Sequence, residues 1–273
     1  TIEQTLFYGL NNLKTLELHM NELSEIKPFT FSNLTTLESL DLSYNLLDQI
    51  QRDSFDGLIN LKELVFLNTP MTSINSFVFS KLTNLETLNF QDCEIDTIQP
   101  NAFYGLEKLK EINLDNNNLR RILNFTFANL TSVKLIELGR NQLEFINENA
   151  FRDLVNLTEL DLDRNNLTII KQNTLATLVN LVSLTFYNNN IKSVDQNSFR
   201  NLITKLEYLD LSRNNLVTID PIDYYCMNVS YIDFCNNPLQ NEEYNQNCND
   251  FSALKIIWEK ETGLSPSNCT NLY

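Results

Sequence analysis

One phrase of leucine and asparagine returns every 24 residues, from Leu13-Lys14-Thr15-Leu16-Glu17-Leu18-His19-Met20-Asn21 to a last clear copy at Leu206. Aligned on their first residue, the units start at Leu13, Leu37, Leu61, Leu85, Leu109, Val133, Leu157 and Leu181, then at Leu206 after one extra residue, and degenerately at Val229. No single unit of this size can bury its own apolar residues, so the chain must stack its units and take its stability from the interfaces between neighbours. Within each unit the pattern LxxLxLxxNxL places apolar residues at positions 4 and 6, as in Leu160 and Leu162, which suits a short strand with one buried face. Position 9 is asparagine in eight of ten units (Asn21, Asn45, Asn117, Asn141, Asn165, Asn189, Asn214, Asn237). A side-chain amide repeated in this way satisfies backbone groups of adjacent turns, so it is a ladder and not eight active-site residues.

A second apolar set follows the strand at positions 14, 19 and 22, as in Ile50, Phe55 and Leu58. Position 19 is phenylalanine at Phe31, Phe55, Phe79, Phe103, Phe127, Phe151 and Phe199, with Leu175 and Tyr224 as substitutes. Stacked turn on turn, these rings form a spine on the convex side. Over residues 1–240 the pattern resembles the extracellular leucine-rich repeat family of animals, the phenylalanine-spine type of Toll-like receptors and Slit proteins. The resemblance implies an α/β solenoid, a horseshoe with a parallel concave sheet and a helical, disulfide-stapled C-terminal cap.

Three segments are expected. Residues 1–12 read as the tail half of a repeat, since Ile2, Phe7 and Leu10 align with Ile26, Phe31 and Leu34. An open solenoid end needs a cap, so a natural chain continuing upstream is expected, with a half-repeat serving as its own cap as the rival. Residues 13–240 hold about ten repeats, and 241–273 form the cap. There, residues 250–260 read as an amphipathic helix started by Asn249 or Asp250, ended by Gly263, and carrying the only tryptophan, Trp258.

Four of the five cysteines, Cys226, Cys235, Cys248 and Cys269, fall in the last 48 residues. Two disulfides are expected, with three possible connectivities. The usual close Cys-x-Cys is absent, and the irregular cap resembles those of insect secreted immune leucine-rich repeat proteins. Zinc is disfavoured, because no Cys-x2-Cys pair exists and the sole histidine, His19, lies far away. Cys93 stands at a ladder position and reads as a buried thiol. Sequons occur at Asn33, Asn124, Asn129, Asn156, Asn166, Asn228 and Asn268. None falls on the ladder. With the cysteine cap they point to an extracellular protein, secreted or a cell-surface ectodomain, and the chain shows no membrane span of its own.

Side chains at positions 3, 5, 7 and 8 point outward from the concave sheet, where function is sought. Position 5 is acidic in six of ten units and basic in none, which focuses part of the net charge of −15 there. Two partner-binding patches are expected. One is apolar, made by Met20, Tyr44, Val65 and Leu67; the other joins Arg140, Arg164 and Arg213 to Tyr187, Tyr208 and Tyr231 among the carboxylates Glu137, Asp161, Asp163 and Asp210. Incidental strand residues and solvated ion pairs are the bland alternatives. Thr69 and Cys93 replace the ladder asparagine in consecutive units, so irregular spacing of the third and fourth strands is expected in the first patch.

These features favour a non-enzymatic module that binds a protein ligand or receptor through its concave face, in innate-immune or cell-surface recognition. Neuronal or developmental adhesion or signalling is the alternative within that class, and homo- or hetero-dimerisation is possible. A second class, calcium held by Asp115, Glu137, Asp161 and Asp163, stays open. Catalysis lacks parts, since there is one histidine and no phosphate-cradling glycine loop, and no cofactor is expected. The acidic sheet disfavours nucleic acid.

Overall fold

The computed structural model describes residues 2–3, 5–265 and 269. The sequon at Asn268 lies outside them. Ten three-residue strands, from Thr15–Glu17 to Tyr231–Asp233, form one parallel sheet in chain order. Each centres on its position-4 residue, so Leu16, Leu40, Leu64, Leu88, Ile112, Ile136, Leu160, Leu184, Leu209 and Ile232 pair in unbroken register. The third and fourth strands, Glu63–Val65 and Thr87–Asn89, follow that register too, with Leu64 opposite Leu88. The expected irregularity there does not occur, and the substitutes take over part of the donor role of asparagine. The Thr69 hydroxyl and the Cys93 thiol both donate to the Phe66 carbonyl, at 3.2 and 3.1 Å. Cys93 is a buried free thiol.

Elsewhere asparagine builds the ladder, with up to four side-chain bonds per turn. The Asn141 amide donates to the carbonyls of Leu114, Leu138 and Gly139 at 2.9–3.1 Å, and its oxygen accepts from the Leu119 N–H at 3.0 Å. Behind the sheet the rings stack, with centroids 6.4 Å apart for Phe31 and Phe55 and 5.6 Å for Phe103 and Phe127. A second ladder runs at position 24, where Asn60, Asn84, Asn156 and Asn180 donate to the carbonyls of Thr35, Ile59, Thr131 and Val155. Asn156, one of the sequons, is therefore engaged in holding turns together.

The convex side has twice the period of the concave side. Two-residue strands pair Ser73–Ile74 with Thr97–Ile98, Arg121–Ile122 with Phe145–Ile146, and Ile169–Ile170 with Ser193–Val194. The N–H groups of Phe29, Phe77 and Phe125 donate to the carbonyls of Asp53, Asn101 and Asn149 at 3.0–3.1 Å. Turns therefore couple two by two. Glycines permit the close approach within a pair: a Cβ on Gly57 would stand 2.5 Å from the Ser32 carbonyl oxygen, and one on Gly105 2.8 Å from that of Ser80, both at φ near +90°.

At the C-terminal end two helices cover the last turn. The first, α1 (Glu242–Gln246), had no counterpart in the sequence reading; the Asn241 side chain caps it. The second, α2 (Phe251–Thr262), is capped by Asp250 and closed by Gly263 in the left-handed region, as expected, with its last residue Thr262 two beyond the expected stretch. Trp258 is fully buried beside Tyr224, Tyr244 and Phe251. Disulfides join Cys226 to Cys269 and Cys235 to Cys248, which selects one of the three connectivities. Among the described residues no helix is long and apolar enough to cross a membrane.

Candidate functional site

The concave face is shaped by two structural demands that the repeat imposes. The first falls on position 5. Oxygens of Asp41, Asn89, Asn113, Asp161, Asp210 and Asp233 accept from the N–H two residues later at 2.7–2.9 Å. These are Asx turns, a local reason for short Asp and Asn side chains. Part of the acidity that drew attention to position 5 therefore belongs to the backbone, and only Glu17 and Glu137 are acidic there without such a bond.

The second demand falls on position 8, which is left-handed in all ten units: Met20, Tyr44, Asn68, Asp92, Asn116, Arg140, Arg164, Asn188, Arg213 and Asn236, with φ between 48° and 59°. Asn and Asp tolerate that conformation, and other L residues pay about 1–2 kcal/mol. Half the units use Asn or Asp. The other half carry Met20, Tyr44, Arg140, Arg164 and Arg213, all exposed. Backbone preference does not select these five side chains. Arg164→Asn is accordingly expected to raise stability by about 1 kcal/mol, read as a higher denaturation midpoint at unchanged slope.

The five fall in the two expected patches. Met20, 72% exposed, and Tyr44, 44% exposed, share the N-terminal side with the half-buried Val65 and Leu67. The C-terminal patch is more organised. The Arg164 and Arg213 guanidinium carbons stand 5.8 and 5.6 Å from the Tyr187 ring centroid, so both cations meet one aromatic ring. Beside them Tyr208 stacks on Tyr231, with centroids 4.6 Å apart and ring planes nearly parallel. Their hydroxyls donate to Asp210 and Asp233 at 3.4 and 3.0 Å. Burial, then these carboxylates, push both phenols above their ordinary range. Tyr231 thus stands with Tyr208 in the C-terminal patch, where the sequence places it.

Between the arginines lies a carboxylate niche. Oxygens of Asp115, Asp161 and Asp163 lie within 4.8 Å of one another. Gly139 is its floor: a Cβ there would stand 2.3 Å from Asp163 Oδ1 and 2.5 Å from Asp115 Oδ1. Arg140 Nε approaches Asp115 at 4.0 Å and Arg164 Nε approaches Asp163 at 3.5 Å. Burial foremost, with the neighbouring carboxylates adding to it, lifts Asp161 to about 7. Burial and mutual repulsion also raise Asp115 and Glu137.

This shift has a sign that can be tested. The folded state holds the Asp161 proton more tightly than the unfolded chain, whose aspartate titrates near ~3.9. The stabilisation is present below that value and lost as pH rises to about 7. Asp161→Asn keeps an oxygen for the Asp163 N–H and removes the charge. It should stabilise the protein by roughly 1 kcal/mol at pH 8, a value discounted for solvent access, and leave thermal unfolding at pH 4 unchanged.

The geometry is that of a known repeat class, and comparison with known proteins agrees. A profile described as "Leucine rich repeat" matches residues 1–47, 11–68, 156–203 and 179–239, and one described as "BspA type Leucine rich repeat region" matches six copies over residues 48–174. The chain belongs to the leucine-rich repeat family. A search of curated proteins finds no match. Among solved structures it is similar to TLR13 in the TLR13–ssRNA13 complex, with 27% identity, a TM-score of 0.77, and coverage of 85% of this chain and 37% of that one. Drosophila Toll in its complex with Spatzle shares the fold at 23% identity and TM-score 0.77, covering 82% and 30%. An octameric complex of Latrophilin 3, Unc5D and FLRT2 contains another such fold, at 24% identity and TM-score 0.77, covering 97% and 77%. The chain spans 30–37% of the length of the Toll and TLR13 chains.

Proposed function

We propose that this chain is an extracellular protein-recognition module that binds a protein partner through its concave face, centred on Arg164, Tyr187, Arg213, Tyr208 and Tyr231. The observation that carries the proposal is the choice of side chain at position 8. Where the backbone asks for asparagine, this patch keeps three arginines, Arg140, Arg164 and Arg213, and two of them meet Tyr187. Arginine and tyrosine dominate interface energetics because they offer large, stiff contact areas with polar tips.

The floor and the rim differ in charge. At positions 3, 5 and 7 the sheet presents Glu111, Glu137, Glu159, Asp161 and Asp163, while the arginines line one edge at position 8. A partner segment that places a lysine or arginine over Gly139 and an acidic or aromatic group against the rim fits this arrangement. The same charge speeds the approach of a basic partner and opposes a phosphate backbone along the floor. Two cap disulfides and the sequons support a secretory location, and the relatives solved in protein complexes support a receptor-type role, innate-immune or cell-surface. No catalytic role is read into the face.

Hydrogen–deuterium exchange with a bound protein ectodomain tests the proposal. Protection is expected over Glu159–Asp161, Ser183–Thr185 and Tyr208–Asp210, and protection confined to the convex turns would refute it. The carboxylate niche keeps calcium as a second reading, favoured by the convergence of Asp115, Asp161 and Asp163. A calorimetric titration without heat would remove it.

A further inference from the structure

The pairing of convex turns leaves clefts between pairs, and one is a cavity of about 1080 Å³ between the fourth and fifth repeats. Tyr104 and Phe125 supply its aromatic lining, and Asn101, Glu107, Thr131 and Arg152 supply polar groups. Tyr104 is 58% exposed and leans edge-on against Phe77 at 5.6 Å. Phe125 is 49% exposed, and the Arg152 guanidinium lies 5.6 Å from its ring centroid. Phe125 holds a left-handed conformation with φ 64°, so the backbone again does not favour the residue it carries. In the same lining stands Asn129, first residue of the sequon Asn129-Leu130-Thr131, exposed, and with its amide bonded to no described residue.

The constellation occurs twice in the sequence. Phe7-Tyr8-Gly9-Leu10 followed by Phe29 and Asn33-Leu34-Thr35 matches Phe103-Tyr104-Gly105-Leu106 followed by Phe125 and Asn129-Leu130-Thr131. The intervening copy keeps Gly57 and Phe77, whose structural roles are the same, yet carries Asp56 for tyrosine and Lys81 for asparagine. Tyrosine and sequon are thus present together or absent together, while the residues needed for turn pairing stay. Asn129 holds a left-handed conformation, φ 66°, that asparagine tolerates, but the exposed tyrosine that accompanies it has no such backbone reason.

We propose that Asn129 carries an N-linked glycan and that its first sugars lie in this cleft against the face of Tyr104, with Asn33 and Tyr8 as a second site of the same kind. The inference rests on the secretory reading above. In the attachment step the Asn129 Nδ2 displaces a lipid diphosphate from the anomeric carbon of a lipid-linked oligosaccharide. The C–N bond forms, the C–O bond to diphosphate breaks, and one amide proton leaves. The sugar then offers C–H groups to the electron-rich ring face and hydroxyls to Glu107, Thr131 and Arg152. The cleft is thereby filled by the chain's own modification, which leaves the concave face as the open surface.

Expression through a eukaryotic secretory host, with glycopeptide mass spectrometry, tests occupancy, and timed amidase release of the glycan from native protein tests the contact. Asn129 is expected to be occupied, and Tyr104→Ser, an exposed change that spares the core, to speed release at Asn129 by about tenfold, equivalent to ~1.4 kcal/mol of cleft contact. Release at Asn166 should not change. An unoccupied Asn129 alongside glycans on other sequons overturns the proposal alone, and glycans on none overturn the secretory reading with it. Equal release rates for Tyr104→Ser and the parent also overturn it.

Discussion

Asn141→Ala is expected to lower the stability of the solenoid by about 3 kcal/mol, the sum of one orphaned buried donor and the net loss of three weaker bonds. The cost concentrates on the Leu119 N–H, whose side-chain partner is Asn141 Oδ1 at 3.0 Å. The carbonyls lose less. Leu114 keeps the Asn117 amide, Leu138 keeps the Asn165 amide, and Gly139 keeps the N–H of Asn116. Because each repeat is stabilised by its neighbours, the loss should spread as faster amide exchange over the adjoining turns before global unfolding. Asn118→Ala is the control: its amide donates at 3.3 Å to the Glu94 carbonyl and its oxygen accepts from the Gln142 amide at 3.0 Å, both at the exposed surface, so it should cost under about 0.5 kcal/mol. Equal losses for the two variants in urea titrations would deny the ladder its role.

The second large effect is on binding. Tyr187 is the one residue whose ring both Arg164 and Arg213 approach, so Tyr187→Ala removes the platform that holds two strained cations in place. A loss of about 2–4 kcal/mol is expected, a fall in affinity of roughly 30-fold or more. It should appear in the dissociation rate, since the long-range charge that governs encounter is unaltered. The fold should survive, because Tyr187 is only half-buried and its turn is held by the Thr185 hydroxyl, which accepts from the Tyr187 N–H at 3.2 Å.

The concave strands, the asparagine ladder and the phenylalanine spine were legible in the sequence because each depends on residues that recur at one spacing. Asp250 and Gly263 marked the main cap helix by end chemistry. Short α1 was missed because five residues give no periodicity. The doubled convex period was present in Gly9, Gly57 and Gly105 and in Phe29, Phe77 and Phe125. An alignment on 24 residues hides it, since it alternates between units. Position 5 misled for a different reason: aspartate is both an acid and a turn former, and only the hydrogen bond from the N–H two residues later separates the roles. The expectation of irregular strands at Thr69 and Cys93 failed because hydroxyl and thiol reach the same Phe66 carbonyl. Left-handed backbone at position 8 could not be read where the residue was Arg, Met or Tyr. There the structure adds most to the candidate site.

The most direct measurement is a set of three dissociation constants on one protein partner, taken from a panel of secreted and cell-surface ectodomains. Wild type and Tyr187→Ala are compared with Phe77→Ser, a change on the convex side. A concave recognition face requires Tyr187→Ala to weaken binding about 30-fold or more while Phe77→Ser leaves it within about twofold. Unchanged affinity for Tyr187→Ala together with a loss for Phe77→Ser would place recognition on the convex side and contradict it.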